Sequence, residues 1–105
     1  MTQWIRQTTR ERIYLRDGHT CMWCEDSVYN TPGIELTLDH VVPQAIGGDN
    51  KVTNLVTACR TCKCSRQDTP VKAFAQSLAD RGKNPKRVAN RVRNAQRRVL
   101  PKLAR

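Results

Sequence analysis

Two pairs of cysteines carry the clearest chemistry in this sequence: Cys21-Met22-Trp23-Cys24 and Cys59-Arg60-Thr61-Cys62. The C-x-x-C spacing lets one tight turn present two thiolates to a single ion, and 34 residues separate the pairs. Zinc favours four such ligands in a tetrahedron. With all four positions taken by sulfur it has none open for substrate, so its expected role is structural. Cys64 falls outside the repeated spacing and is expected to be a free thiol. Between the knuckles stands a second group, Asp39-His40. A carboxylate suits a hard divalent cation, and a neutral imidazole can take a proton near neutral pH. Alone such a pair means little, because histidines near strand ends are more often packed or hydrogen-bonded structural residues, so the surroundings decide. His19, in a turn beside the first knuckle, reads as structural or solvent-exposed.

Several short elements must position these groups. Residues 34–43 alternate apolar and polar through Ile34, Leu36 and Leu38 and read as a strand stopped by Pro43. Residues 44–53 form a loop around Gly47-Gly48. The stretch 54–58 leads into the second knuckle, where a helix starts and ends near Gln67. Upstream, residues 9–16 read as a helix capped by Thr8 or Thr9 and broken by Asp17-Gly18. Downstream, Asp68-Thr69-Pro70 starts a helix whose apolar face is Val71, Phe74, Ala75 and Leu78, with Gly82 as its stop. A last helix from Pro85 to Val99 carries Val88, Val92, Ala95 and Val99 on one stripe. Trp23 is expected to pack over the zinc site.

The chain has 105 residues, of which 38% are hydrophobic and only five aromatic. So small a core is marginal by itself, and a bound metal would offset the deficit. An odd cysteine count and the polar opening Met1-Thr2-Gln3-Trp4 point to a reducing, cytoplasmic compartment. The net charge is +10 and unevenly placed. Residues 1–80 balance nine basic against nine acidic side chains, whereas residues 81–105 hold ten basic ones and no acid. Such a block points to a polyanion partner, a nucleic acid, gripped by Arg87, Arg91, Arg97 and Arg98 with help from Arg93. The last helix lacks large apolar anchors, which argues against a membrane surface.

The string Leu38-Asp39-His40-Val41-Val42-Pro43, then Gly47-Gly48, Asn54-Leu55 and Cys59-Arg60-Thr61-Cys62, resembles the HNH endonuclease family with a zinc-knuckle framework, over roughly residues 10–68. The resemblance implies an α+β fold: a small ββα-metal core with structural zinc, flanked by an N-terminal helix and C-terminal helices. Residues 1–68 would be the nuclease domain and 69–105 a basic helical extension. It also implies a DNA endonuclease or nickase. Asp39 would ligate a catalytic Mg²⁺ or Mn²⁺, His40 would be the general base, and Asn54 would hold the loop and orient the histidine. Arg66 falls where the family often has a basic residue, which implies a phosphate contact or a surface charge.

One departure stands out: Lys63 occupies the position of the family's second metal ligand, usually Asn or His. An ammonium cannot ligate a cation. Three readings follow. Water, DNA phosphate and Gln67 assist Asp39; or the Lys63 charge replaces part of the metal's role at the DNA; or the site is degenerate and the protein binds DNA without cutting. A site completed by a partner protein or a second copy is a further option. Small proteins that resemble this one are frequent in phages, acting in packaging, homing or restriction, which implies a bacterial or phage-infected cytoplasm.

Overall fold

The alternation through Leu36 and Leu38 resolves into a strand shorter than the sequence pattern suggests, and the reason lies at its two ends. In the computed structural model, which describes residues 5–103, β1 (Leu36–His40) pairs antiparallel with β2 (Leu55–Cys59). Leu36 lies opposite Cys59, and His40 opposite Leu55. At one end the chain turns into α2 (Arg60–Arg66) immediately after Cys59. At the other, the Asn54 side chain takes over Val42: its Oδ1 accepts from Val42 N at 2.8 Å and its Nδ2 donates to Val42 O at 3.1 Å. Pro43 then has no N–H to continue the ladder.

A two-stranded sheet is marginal in water unless its faces are covered. Every residue of β2 is buried. Leu55 packs with Leu38 and Ile13 of α1 (Gln7–Arg16), while Val56 and Ala58 face a larger cluster. That cluster joins the four knuckle cysteines to Phe74, Ala75 and Leu78 and to Val88, Val92 and Ala95. Most of these come from α3 (Val71–Ser77) and α4 (Pro85–Arg97); Leu78 opens the 3₁₀ turn that follows α3. The core therefore runs from the zinc-knuckle half into the basic C-terminal half. The observed architecture is the α+β core with flanking helices that the sequence implies.

Some expectations at the helix ends give way. α1 begins at Gln7, so Thr8 and Thr9 lie inside it, and no side chain caps it. α4 ends at Arg97, which leaves Val99 beyond the helix and 89% exposed. Asn84 caps α4 instead, accepting from the N–H groups of Lys86 and Arg87. The Asp17-Gly18 turn does more than break α1. Arg16 and Asp17 form a buried pair, with Nε to Oδ1 at 2.8 Å, and Arg16 also donates to Val52 O and Leu55 O. Asp17 Oδ2 accepts from Thr57 N at 2.9 Å, tying α1 to β2.

Candidate active site and metal centre

The four knuckle cysteines converge. Cys21, Cys24, Cys59 and Cys62 are buried, and their sulfurs all lie within 4.8 Å of one another. Cys59 Sγ also accepts from the N–H of Cys62 at 3.4 Å, a bond made by the turn into α2. Such crowding makes the sulfurs share protons. Hydrogen bonding with Cys21 pulls Cys24 well below the usual thiol range and Cys59 down to about 6, and contacts with Cys24 and Cys59 push Cys21 up. A divalent cation resolves this competition, because four thiolates can then coexist. Arg81 lies alongside, its Nη1 4.0 Å from Cys62 Sγ, where it would offset the negative charge of a tetrathiolate centre. This donor set fits zinc. Cys64 is exposed and outside the cluster.

The first knuckle reaches directly to Asp39. Trp23, fully buried between Cys21 and Cys24, donates from Nε1 to Asp39 Oδ2 at 3.0 Å. Its ring meets Phe74 edge to face, with centroids 5.3 Å apart, and carries the Arg66 guanidinium 4.7 Å from its centroid. Arg66 also donates to Asp39 Oδ2 at 2.9 Å, and to the carbonyls of His40, Val41 and Thr69. Its side chain is 0% exposed. The sequence-based expectation of a phosphate contact or surface charge is thus corrected: every nitrogen of Arg66 is spent inside the protein. Both bonds to Asp39 fall on Oδ2. Oδ1 takes no hydrogen bond from the described residues.

His40, the last residue of β1, is half-buried and places Nε2 2.7 Å from Asn50 Oδ1. Among the described residues, Asn54 makes no hydrogen bond to the imidazole. It clamps the loop, through Val42 and by donating to Asp49 O at 2.8 Å. The glycine pair explains how that loop folds back. A Cβ on Gly48 would lie 1.7 Å from Val42 O, and Gly47 adopts φ +102°, so only this pair lets the chain return to His40.

Asp39, His40, Gln44, Lys63, Gln67 and Asp68 line one cleft of about 200 Å³ at the end of β1. Lys63 Nζ donates to Leu38 O at 2.8 Å and so is pinned beside Asp39. Sequence reasoning missed Asp68, whose only signal was as a helix-start residue, and the pairing of Asn50 with His40. Among the described residues, the four cysteines are the one place where three or more His, Cys, Asp or Glu ligands converge. His19, at φ 51°, sits in the turn after α1 and is absent from the cleft lining.

Of the basic residues expected to grip DNA, Arg87, Arg97 and Arg98 are exposed. Arg91 is drawn inward: it donates to Met22 O at 3.0 Å, pairs with Glu25, and leaves only 19% of its side chain exposed. Its first task is to fasten α4 to the first knuckle. Gln96 donates to Thr53 O at 2.8 Å, which sets the Arg97 and Arg98 end of α4 against the turn that supplies Asn54. Among the described residues no helix is long and apolar enough to cross a membrane.

A family model described as HNH endonuclease matches residues 21–79, a span holding both knuckles and the whole cleft. The chain belongs to the HNH endonuclease family. The HNH chain is also similar to the CRISPR-associated endonuclease Cas9 of Actinomyces naeslundii, with 36% identity over 78 residues covering 72% of the chain and 7% of that protein. The crystal structure of the Type II-C Cas9 enzyme from Actinomyces naeslundii superposes with a TM-score of 0.58 and 26% identity, covering 97% of the chain and 12% of that structure. The HNH chain thus spans a small part of the relative it matches.

Proposed function

We propose that this HNH chain is a divalent-metal-dependent DNA endonuclease or nickase. One observation carries the reading: the Asp39 carboxylate is clamped on Oδ2 by Trp23 and Arg66 while it lines a cleft with a half-exposed histidine. Family membership and the endonuclease named among its relatives support it further. His40 takes a proton from water as the water oxygen bonds to phosphorus. The P–O3′ bond breaks, and the leaving oxygen acquires a proton from solvent. Asp39 Oδ1 would hold Mg²⁺ or Mn²⁺, which supplies positive charge to the phosphate oxygens and the leaving group. Gln67, or the Asp68 carboxylate, assists in place of the ligand that Lys63 cannot provide. With so few protein ligands such an ion would be held weakly, with DNA supplying further oxygens.

Four thiolates on Cys21, Cys24, Cys59 and Cys62 would hold structural zinc. DNA is gripped by Lys63 at the cleft and by Arg87, Arg97 and Arg98 on α4. The division is one of function: residues 1–68 carry the zinc and the cleft, and 69–105 the basic extension. Reduced thiols suit the cytoplasm of a bacterial or phage-infected cell, where packaging, homing or restriction would use such an activity.

Supercoiled plasmid incubated with Mg²⁺ or Mn²⁺ tests this reading. Nicked or linear product is expected, and His40→Ala abolishes it. Lys63 supports a second reading, a zinc-stabilised DNA-binding module with a degenerate site, because its ammonium is fixed on Leu38 O beside the carboxylate. Absence of cleavage with every divalent ion, together with cleavage gained by Lys63→Asn, would establish that second reading.

A further inference from the structure

Asn50 stands ten residues beyond His40, across the Gly47-Gly48 turn, and its side-chain oxygen meets the imidazole at 2.7 Å. Gln44 Nε2 donates to the same Oδ1 at 3.3 Å, so the Asn50 side-chain oxygen faces both the imidazole and the Gln44 amide. An amide oxygen carries no proton, so His40 Nε2 must donate and bears the hydrogen. In the neutral ring the lone pair then resides on Nδ1. We propose that Asn50 is a positioning residue: it fixes His40 as the Nε2–H tautomer and holds the ring so that Nδ1 is the atom that receives a proton. The catalytic part of this statement rests on the nuclease reading, and the positioning part does not.

The loop is built for the contact. Gly48 N donates to Pro43 O at 3.0 Å, Asp49 O accepts from Asn54, and Asp49 Oδ1 accepts from Lys51 N at 3.1 Å. Bonds therefore tie the loop on both sides of Asn50. Asn54 holds the loop and Asn50 holds the imidazole, two tasks that would otherwise fall to one residue.

¹⁵N NMR of the wild-type chain, loaded with zinc and recorded with the ring neutral, reads the tautomer directly. The expected result is a protonated Nε2 with a slowly exchanging hydrogen and an unprotonated Nδ1. A ring protonated on Nδ1 overturns the proposal whether or not the protein cuts DNA. Kinetics supply the second arm. Asn50→Leu removes the acceptor, and kcat for plasmid nicking falls by about 10- to 100-fold, as expected for a misplaced catalytic group, while KM changes less than about twofold. Asn50→Asp restores an acceptor of the same shape and recovers most of the rate. Unchanged kcat in Asn50→Leu, or no recovery in a folded Asn50→Asp, counts against the proposal. A wild-type chain that shows the expected tautomer but nicks nothing would sink the nuclease reading alone.

Discussion

The cysteine centre and the Asp39 cleft lie on either side of Trp23, and they differ in how much of a metal's shell the protein supplies. At the first, four buried sulfurs come within 4.8 Å of one another, enough donors to fill the four positions zinc favours. At the second, one carboxylate is committed on Oδ2 to Trp23 and to the Arg66 guanidinium, and a further cation, Lys63, is tied to the backbone carbonyl of Leu38. The complete set serves stability, because an ion with a full shell has no position for substrate. On the proposed nuclease reading the incomplete one would suit turnover, because an ion that borrowed ligands from DNA would be engaged only when DNA is present. Trp23 joins the two: its backbone belongs to the knuckle, and its indole N–H holds Asp39.

Breaking the complete site should have the largest effect. Structural zinc contributes about 10–16 kcal/mol of apparent binding free energy in small zinc-dependent folds, more than a core this size can forgo. Chelation of a zinc-loaded chain, or Cys59→Ser, is expected to unfold it, read by loss of the cooperative thermal transition. Retention of that transition after the metal is stripped would show that the cysteines do not hold the fold. The next effect tests the bridge. Arg66→Ala leaves Asp39 buried beside Trp23 without its cation, a defect that costs about 3–5 kcal/mol when one partner of a buried pair is removed. Denaturant titration should report that loss while zinc content stays the same as in the wild type. A change below about 1 kcal/mol would mean that solvent reaches Asp39 and that Arg66 does not clamp it.

These two predictions concern residues that differ in how far local pattern reveals them. The cysteines were legible because ligand geometry imposes a spacing within each knuckle, and Phe74, Ala75, Leu78, Val88, Val92 and Ala95 because burial follows helical period. Arg66 was not. It sits on a short helix where periodicity assigns arginine to solvent, and its partner Asp39 lies 27 residues away. Only the packing of α2 on β1 shows that four acceptors await its guanidinium. Asn50 was hidden for a related reason: a loop residue reveals its partner once Gly48 is seen against Val42, and the glycines alone said only that the loop turns. Asp39 and His40 were legible as residue types, but the half of the carboxylate left for a ligand was not.

The smallest effect sharpens the comparison from outside both sites. Arg97 and Arg98 are exposed, at the end of α4 that Gln96 secures to Thr53, and they belong neither to the cysteine cluster nor to the cleft lining. If they contact phosphate, each substitution removes about one unit from the slope of log affinity against log salt. The double variant Arg97→Ala, Arg98→Ala should therefore bind DNA with a slope shallower by about two and affinity reduced several-fold at low salt. The melting temperature and the nicking rate at saturating DNA should stay at wild-type values, since neither side chain belongs to the buried core or lines the cleft. Arg91→Ala serves as the contrast, because its guanidinium is spent on Met22 O and Glu25. It should lower stability with little change in salt slope. If instead Arg91 alters the slope and the Arg97, Arg98 pair does not, the DNA runs along the knuckle face of α4 rather than over its C-terminal end.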